Sequence, residues 1–191
     1  MTDQTANIYQ IHIRLKNSDP AIWRRVLIAG DSSLMRLHCV IQQSMGWDDA
    51  HAHLFQIGED RYSAPIPFNP DHLKELNARN TKTTRLSELF IEEQATASYI
   101  YDFGDQWEHT ILVEAILSPD TEYSRPICTD GNRACPPEDV GGLAGYAIFL
   151  GAINNPDHKN YEDYVAWIGA SRFDAEAFDI DAANERLKML C

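Results

Sequence analysis

The densest set of side chains that could do chemistry lies between residues 98 and 113. It combines acids and an imidazole with aromatic rings: Tyr101, Asp102, Asp105, Trp107 and His109. A carboxylate beside a half-buried imidazole fixes the tautomer of the ring and raises its basicity, as general acid–base chemistry requires. The same pair can equally be a structural hydrogen bond inside a core. The composition of the stretch leaves both interpretations open.

Alternating polarity predicts that this stretch forms a β-hairpin with one buried face. Side chains alternate between the faces of a strand, so Trp107 and His109 share the apolar face of the second strand. We predict a two-residue turn at Gly104 and Asp105, in which the glycine supplies the positive φ angle. That register pairs Asp102 with Trp107 and places the carboxylate on the inner face, within reach of His109. A three-residue loop would shift the register and move Asp102 to the solvent face.

A second conspicuous stretch, residues 125–142, ends in a proline pair, an acid pair and a glycine pair. Asp130 and Gly131, earlier in the stretch, are typical of a turn. The acids Glu138 and Asp139 precede a predicted helix, whose positive N-terminal end favours negative charge. The acid pair therefore either caps that helix or supplies ligands or acid–base groups at the edge of a cleft.

Metal binding is weakly indicated by two histidines separated by one residue. His51 and His53 would share one face of a predicted strand, and such a pair can hold zinc. Asp102 and His109 are the other candidate ligands, but no third ligand follows at a fixed spacing. The alternative is a pair of structural histidines near Trp47. A divalent metal is therefore a possible cofactor whose presence the sequence leaves open.

The pattern of apolar residues predicts a single α+β domain over residues 1–191. We expect a mostly antiparallel sheet with helices largely on one face. The predicted strands are 8–16, 22–28, 52–57, 98–103 and 106–117, and the predicted helices are 32–45, 143–154, 160–169 and 181–190. Helix 143–154 is apolar on nearly every side, so we expect it to be buried. Residues 58–85 are predicted to form an irregular surface excursion that could cover a cleft, with one helical turn near 71–76.

Composition disfavours several classes of partner. The chain carries 29 acids against 16 Lys and Arg, a formal net charge of −13. Phosphate-tracking surfaces need a basic stripe, so nucleic acid and anionic membranes are disfavoured. The first residues lack the pattern of a secretory signal, and the longest apolar run is too short to span a bilayer. With four scattered cysteines, a reduced, cytoplasmic protein is expected.

Four motifs resemble those of the plasmid pRiA4b ORF-3-like family, over residues 8–178 approximately. They are P-A-I-W-R-R-V at 20–26, M-G-W-x-x-x-H-x-H-L-F at 45–55, Y-x-Y-D-F-G-D-x-W-x-H at 99–109 and P-P-E-D-V-G-G at 136–142. The resemblance implies a compact α+β domain associated with mobile elements, and it implies no biochemical activity. Members are also labelled TnpR-type, which suggests a resolvase. A serine resolvase needs a nucleophilic serine among arginines and a basic DNA-binding end, whereas this C-terminal segment is acidic.

The first functional hypothesis is a non-enzymatic binding module with an aromatic and acidic cleft. Aromatic rings would grip a protein, peptide or small-molecule ligand, and acids would select positive charge. The candidate cleft residues are Trp47, His53, Tyr101, Asp102, Asp105, Trp107, His109, Glu138 and Asp139.

Two alternatives belong to other classes. The first is a metal-dependent hydrolase, a nuclease or phosphoesterase, because carboxylates and imidazole suit magnesium, manganese or zinc. Its ligands would be Asp102, Asp105, His109, Glu138 and Asp139. The second is a DNA-associated accessory protein of mobile elements, which the overall charge disfavours. The sequence leaves the ligand and the oligomeric state open.

Overall fold

A computed structural model describes residues 6–190, which form one mixed sheet of eight strands and six helices. The strands are β1 Ile8–Leu15, β2 Trp23–Ala29, β3 His53–Ile57, β4 Asp60–Ser63, β5 Ala78–Asn80, β6 Thr96–Tyr101, β7 Trp107–Leu117 and β8 Ile127–Asn132. The helices are α1 Leu34–Met45, α2 His72–Glu75, α3 Leu86–Leu89, α4 Gly142–Ile153, α5 Tyr161–Ile168 and α6 Ile180–Lys188. The α+β class is confirmed.

The sheet has the strand order β5-β4-β3-β6-β7-β1-β2-β8. Every neighbouring pair is antiparallel except β4 with β5, so the predicted mostly antiparallel sheet is confirmed. Inward-facing residues of the strands share one apolar core with residues from α1, α4 and α6. The opposite face carries polar side chains such as Arg25, which pairs with Glu114 through two hydrogen bonds. One face of the sheet is therefore apolar and the other hydrophilic.

Local sequence explains where α1 begins and ends. The side chain of Ser33 accepts a hydrogen bond from the Arg36 amide at 3.1 Å, which caps the first turn. Gly46 follows the last turn with a φ of 94°, the left-handed conformation that favours glycine. The predicted apolar stripe faces the core: Leu34, Leu37, Ile41 and Met45. The prediction of this helix is confirmed, and its end places Trp47 against Tyr101 of β6 and Trp107 of β7.

Two segments that the sequence predicts to be irregular contain strands and extend the sheet. Residues 58–85 contain β4 and β5 as well as the expected helical turn, α2. These strands have four and three residues, too short for an alternation of polarity to mark them. Asp130 and Gly131 lie within β8 rather than in a turn, and Asp130 pairs with Arg25 of β2. The strand register shifts at this point, which indicates a β-bulge. A bulge can therefore contain the same residue types, Asp and Gly, that are typical of a turn.

Helix α4 is buried on one side only. Phe149 and Ile153 are fully buried, whereas the Ile148 side is open and that residue is 58% exposed. The expectation of burial on every side is therefore wrong. An apolar composition predicts that a helix packs against something, but it does not determine how many of its faces are covered.

Candidate functional site

The central hairpin forms, but in a different register from the predicted one. Tyr101 pairs with Trp107, and the connection spans residues 102–106. The predicted two-residue turn and the pairing of Asp102 with Trp107 are wrong. The positive φ angles belong to Asp102 and Gln106, both at 56°, rather than to Gly104. Asp102 tolerates this conformation because its short carboxylate accepts a hydrogen bond from the Gly104 amide at 2.7 Å.

Aromatic rings therefore fill the inner face at the end of the hairpin. Trp47 stacks on Tyr101 with ring centroids 5.1 Å apart and contacts the rings of Trp107 and His109 at 5.9 and 5.5 Å. We call Trp47, Tyr101, Trp107 and His109 the aromatic cluster. Each of its residues is at most 3% exposed. The prediction that these rings line an open cleft is wrong, because they belong to the core.

His109 is a neutral, structural histidine. Its Nδ1 lies 2.9 Å from the carbonyl oxygen of Trp107, so the ring donates from Nδ1 and carries its proton there. Burial lowers the pKa of His109 to about 4. Within residues 6–190 its Nε2 has no hydrogen-bond partner, and the hydrogen bonds of the Asp102 side chain do not include His109. The predicted pairing of Asp102 with His109 is therefore wrong.

Asp102 instead turns its second carboxylate oxygen towards His51. The backbone fixes this position, because the Asp102 amide donates to the Ala52 carbonyl at 3.0 Å. The distance from Asp102 Oδ2 to His51 Nε2 is 3.7 Å, and His51 Nε2 also lies 2.8 Å from Asp139 Oδ1. We call His51, Asp102 and Asp139 the acidic corner. One ligand atom from each lies within 4.8 Å of the others.

The acidic corner is accessible from solvent, unlike the aromatic cluster. The side chains of His51, Asp102 and Asp139 are 33%, 10% and 64% exposed. One imidazole nitrogen and two carboxylate oxygens at this spacing form a donor set that suits a divalent cation such as zinc or manganese. The arrangement can therefore bind a metal ion or another compact positive charge.

Glu138 anchors the acid segment and does not belong to the donor set. Tyr101 donates its hydroxyl hydrogen bond to Glu138 Oε1, and the Asp48 amide donates to Glu138 Oε2 at 2.9 Å. Burial, and then the Glu138 carboxylate, raise the pKa of Tyr101 above its usual range. The N-cap of α4 is Gly141, which forms no side-chain cap, so the capping interpretation of Glu138 and Asp139 is wrong.

Asp105 joins the hairpin to the start of α4. Its Oδ2 accepts a hydrogen bond from the Gly141 amide at 3.0 Å. The next residue, Gly142, has a φ of 68°, and a Cβ there would lie 2.7 Å from the Asp105 carbonyl oxygen. Only glycine allows both this conformation and this close approach. Trp47 adds a further connection, since its indole N–H donates to the Pro136 carbonyl at 3.0 Å.

A buried polar network lies beside the acidic corner. His53 stacks on His38 with ring centroids 3.6 Å apart, and burial, followed by the charge of His38, lowers the pKa of His53 to about 2. His38 contacts Asp49 through Nε2 at 2.7 Å and the Tyr99 hydroxyl through Nδ1 at 2.8 Å. A cavity of about 350 Å³ is lined by His38, Asp49, His51 and His53, and residues 64–67 form one wall.

The predicted site residues thus separate into three groups. Asp102 and Asp139 meet at the acidic corner, and Asp105 and Glu138 hold the acid segment in place. The remaining residues are buried, the aromatic cluster in the core and His53 in a stack on His38. His51 was predicted only as a weak metal candidate, yet both carboxylates converge on it. Asp49 was not predicted at all. Its distinguishing feature is a positive φ of 57°, four residues after the end of α1, which the sequence does not reveal.

These features define a single class: an α+β protein with an eight-stranded mixed sheet and an acidic corner at the end of its central hairpin. Within residues 6–190 no helix combines the length and apolarity needed to cross a membrane. The chain belongs to the plasmid pRiA4b ORF-3-like protein family, whose model matches residues 7–182.

Two relatives cover almost the whole chain. The uncharacterized protein y4hQ of Sinorhizobium fredii, strain NBRC 101917 / NGR234, is 31% identical over 180 residues, which are 94% of this chain and 90% of that protein. The crystal structure of a protein of unknown function, MM3350 from Methanosarcina mazei Go1, has a TM-score of 0.79 at 32% identity. It covers 93% of this chain and 97% of that one.

Proposed function

We propose that this protein is a binding module whose acidic corner takes a positively charged ligand, in the simplest case a divalent metal ion. The spacing of the side chains of His51, Asp102 and Asp139, which offer one ligand atom each within 4.8 Å of the others, carries this proposal. Ligand atoms about 2.0–2.2 Å from a metal ion lie roughly 3–4 Å from each other. The observed spacing is close to that of a coordination sphere.

The charge balance supports the same ligand class. Among the residues that the structure describes, the ion pairs of Asp102 and Asp139 involve only His51. Two carboxylates thus share one imidazole, while Asp48 and Glu138 add further negative charge nearby. A bound cation would neutralise this surplus, whereas an anionic ligand would meet repulsion.

The corner is also preorganised for binding. The amide of His51 donates to the Tyr101 hydroxyl at 3.3 Å, and the amide of Asp102 donates to Ala52 at 3.0 Å. Asp139 lies between two anchored residues, Glu138 and Gly141. Because each ligand is held by its own segment, little ordering remains to oppose binding.

Calorimetric titration tests this proposal. Manganese, zinc, magnesium and spermidine are each titrated into the wild-type protein, Asp139→Asn and the control Asp48→Asn. Asp48 is exposed in the same region, so its substitution removes the same charge without removing a donor atom. We expect saturable binding of at least one cation, weakened roughly tenfold by Asp139→Asn and little changed by Asp48→Asn. Absence of binding by all four, or equal loss in both variants, would contradict the proposal.

A metal-dependent hydrolase is the second candidate, because His51 both belongs to the donor set and lines the cavity of about 350 Å³. A substrate in that cavity would lie beside a metal ion, which could activate water. Of the predicted ligands, only Asp102 and Asp139 contribute. Manganese-dependent hydrolysis of bis(p-nitrophenyl) phosphate, lost in Asp139→Asn, is the expected result. A rate equal to that of manganese alone would exclude phosphodiesterase activity on this substrate.

A further inference from the structure

The cavity of about 350 Å³ beside the acidic corner combines a single carboxylate with apolar walls, and we call it the Asp49 cavity. Asp49 is the only acid that lines it, and within residues 6–190 the lining includes no Lys or Arg. Solvent reaches the carboxylate, because the Asp49 side chain is 41% exposed. Met35, Ile66, three alanines and two prolines supply the apolar surface. The cavity therefore offers an accessible negative charge beside apolar walls.

A closed ring of hydrogen bonds holds Asp49 in place. Its amide donates to Gln42 Oε1 at 3.2 Å, and Gln42 Nε2 donates to the Tyr99 hydroxyl at 3.0 Å. Tyr99 Oη lies 2.8 Å from His38 Nδ1, and His38 Nε2 lies 2.7 Å from Asp49 Oδ1. The ring of contacts thus begins and ends at one residue, whose backbone has a left-handed φ of 57°. The carboxylate is fixed before any ligand arrives.

The directions of these hydrogen bonds leave the charge of Asp49 unbalanced. Burial raises the pKa of Tyr99, so the phenol keeps its proton. Because its oxygen accepts from Gln42, the hydroxyl donates to His38 Nδ1. The imidazole then carries its proton on Nε2 and donates it to Asp49 Oδ1 as a neutral ring. Within residues 6–190 His38 is the only ion-pair partner of Asp49, so the carboxylate keeps its full negative charge.

A cation with its own apolar surface matches the Asp49 cavity better than a bare metal ion does. In the described part of the chain, the one set of three side chains that could hold a metal ion does not include Asp49. A lone carboxylate cannot complete the coordination sphere of a divalent ion, which takes at least four ligands. An ammonium group needs only hydrogen-bond acceptors, and an attached alkyl chain would cover the apolar walls.

We propose that the Asp49 cavity binds a short, linear primary alkylammonium ion, with the ammonium group on Asp49 and the alkyl chain against Met35 and Ile66. The ammonium donates hydrogen bonds to the carboxylate, and each methylene that leaves water strengthens binding. Small free amines and the side chain of lysine share this chemistry. The site is distinct from the acidic corner and does not depend on the cation-binding proposal, although His51 borders both.

Three probes separate the contribution of the charge from that of the chain: n-pentylamine, methylamine and 1-pentanol. Each is titrated calorimetrically into the full-length protein. We expect saturable binding of pentylamine, and at least roughly tenfold weaker binding of the other two, because methylamine lacks the chain and pentanol lacks the charge. Methylamine or pentanol bound as tightly as pentylamine would overturn the proposal.

A fourth probe, Nα-acetyl-lysine methylamide, distinguishes the two sources of the ligand. Binding as tight as that of pentylamine supports a lysine side chain of a partner as the natural occupant. Binding of pentylamine alone supports a small free amine, since the cavity then rejects the peptide backbone.

Methionine methyl resonances locate the bound ligand. Of Met35, Met45 and Met189, only Met35 lines the Asp49 cavity. In protein labelled with ¹³C at the methionine methyl groups, pentylamine should shift the Met35 resonance, which is assigned by its loss in Met35→Leu. The resonance of Met45, which is 4% exposed, should stay in place. An unmoved Met35 resonance at saturating pentylamine would place the ligand elsewhere and overturn the proposal.

Asp49→Asn removes the charge and preserves the local structure. Asparagine tolerates the positive φ and keeps an oxygen that accepts from His38. Pentylamine binding should weaken roughly tenfold or more. Asp48→Asn is the matched control, since it removes the same charge from the exposed neighbouring residue and should bind pentylamine like the wild type. Near-UV circular dichroism checks the packing of both variants, and equal loss of binding in the two would overturn the proposal.

Asp139→Asn distinguishes this site from the acidic corner. It should weaken manganese binding and leave pentylamine binding unchanged, whereas Asp49→Asn should do the reverse. Loss of pentylamine binding in Asp139→Asn would place the amine at the acidic corner and overturn the present proposal. Failure of the wild type to bind manganese, with pentylamine still bound, would contradict the cation-binding proposal alone.

Discussion

The aromatic cluster and the acidic corner meet at the end of one hairpin, yet solvent reaches only the second. Trp107 is 1% exposed, whereas the Asp139 side chain beside the same hairpin is 64% exposed. The boundary is Asp102, where the chain leaves β6 with a positive φ. The comparison teaches that a distinctive motif can owe most of its residues to packing. Only the residues at the end of the strand, outside the core, then remain available to bind a ligand.

Removal of a ring from the aromatic cluster should have the largest effect. Trp107→Ala creates a cavity beneath Trp47 and Tyr101 and should lower the free energy of unfolding by about 3–5 kcal/mol. Urea denaturation measures this loss. Asp139→Asn, from the other region, should stay within about 0.5 kcal/mol of the wild type. Comparable losses in the two variants would abolish the distinction between the regions.

The pH dependence of stability should reveal the buried state of His109. Its pKa is lowered to about 4 in the folded protein, against about 6.5 when unfolded, so the unfolded chain takes up a proton first as pH falls. The associated stability is present above about pH 6.5 and is lost as the pH falls towards about 4. Between about pH 7.5 and pH 4.5, the wild type should lose about 2 kcal/mol more than His109→Leu does.

Urea unfolding at the two pH values measures both proteins, and carboxylate titration is common to both and cancels in the difference. Equal losses in the wild type and in His109→Leu would show that this imidazole is solvated in the folded state. That outcome would remove His109 from the buried cluster and reopen the interpretation of it as part of a cleft.

The contact between hairpin and acid segment should have an intermediate effect. Gly142→Ala places a Cβ 2.7 Å from the Asp105 carbonyl oxygen at a φ of 68°, and should cost about 1–3 kcal/mol. Gly151→Ala, in the same helix, meets nothing within 4 Å and should be neutral or stabilising by up to about 1 kcal/mol. Thermal unfolding of both variants measures the difference. A neutral Gly142→Ala would show that the segment docks loosely.

The smallest effect on stability should come from Asp139→Asn, at or below about 0.5 kcal/mol, because the carboxylate is largely exposed. This variant is informative because we expect it to lose cation binding while its stability hardly changes. A loss of more than about 2 kcal/mol without bound ligand would indicate that Asp139 supports the fold rather than a ligand.

Much of the fold could be predicted from alternation and capping. The stripe of α1 and the alternation along β1 and β7 agree with the structure, since long periodic segments bury one face. The short strands β4 and β5 could not be predicted, because three or four residues show no period. Their place in the sheet depends on neighbours that are distant in sequence.

The site was predicted in part, and two geometric details explain the remainder. The residues 102–106 form a longer connection than the expected two-residue turn, so Tyr101 faces inward, where Asp102 was expected. Connection length depends on backbone φ angles at Asp102 and Gln106, which are not glycines. The convergence of Asp139 on His51 depends on a contact between residues 88 positions apart. No local pattern encodes such a contact.

A crystal structure of the protein soaked with manganese, with the ion located by anomalous scattering, tests the central claim most directly. The account predicts an anomalous peak about 2.0–2.3 Å from His51 Nε2, Asp102 Oδ2 and Asp139 Oδ1, with the aromatic cluster unchanged. A protein that retains the hydrogen bond between His51 and Asp139 at saturating manganese, with no peak between the three side chains, would contradict it.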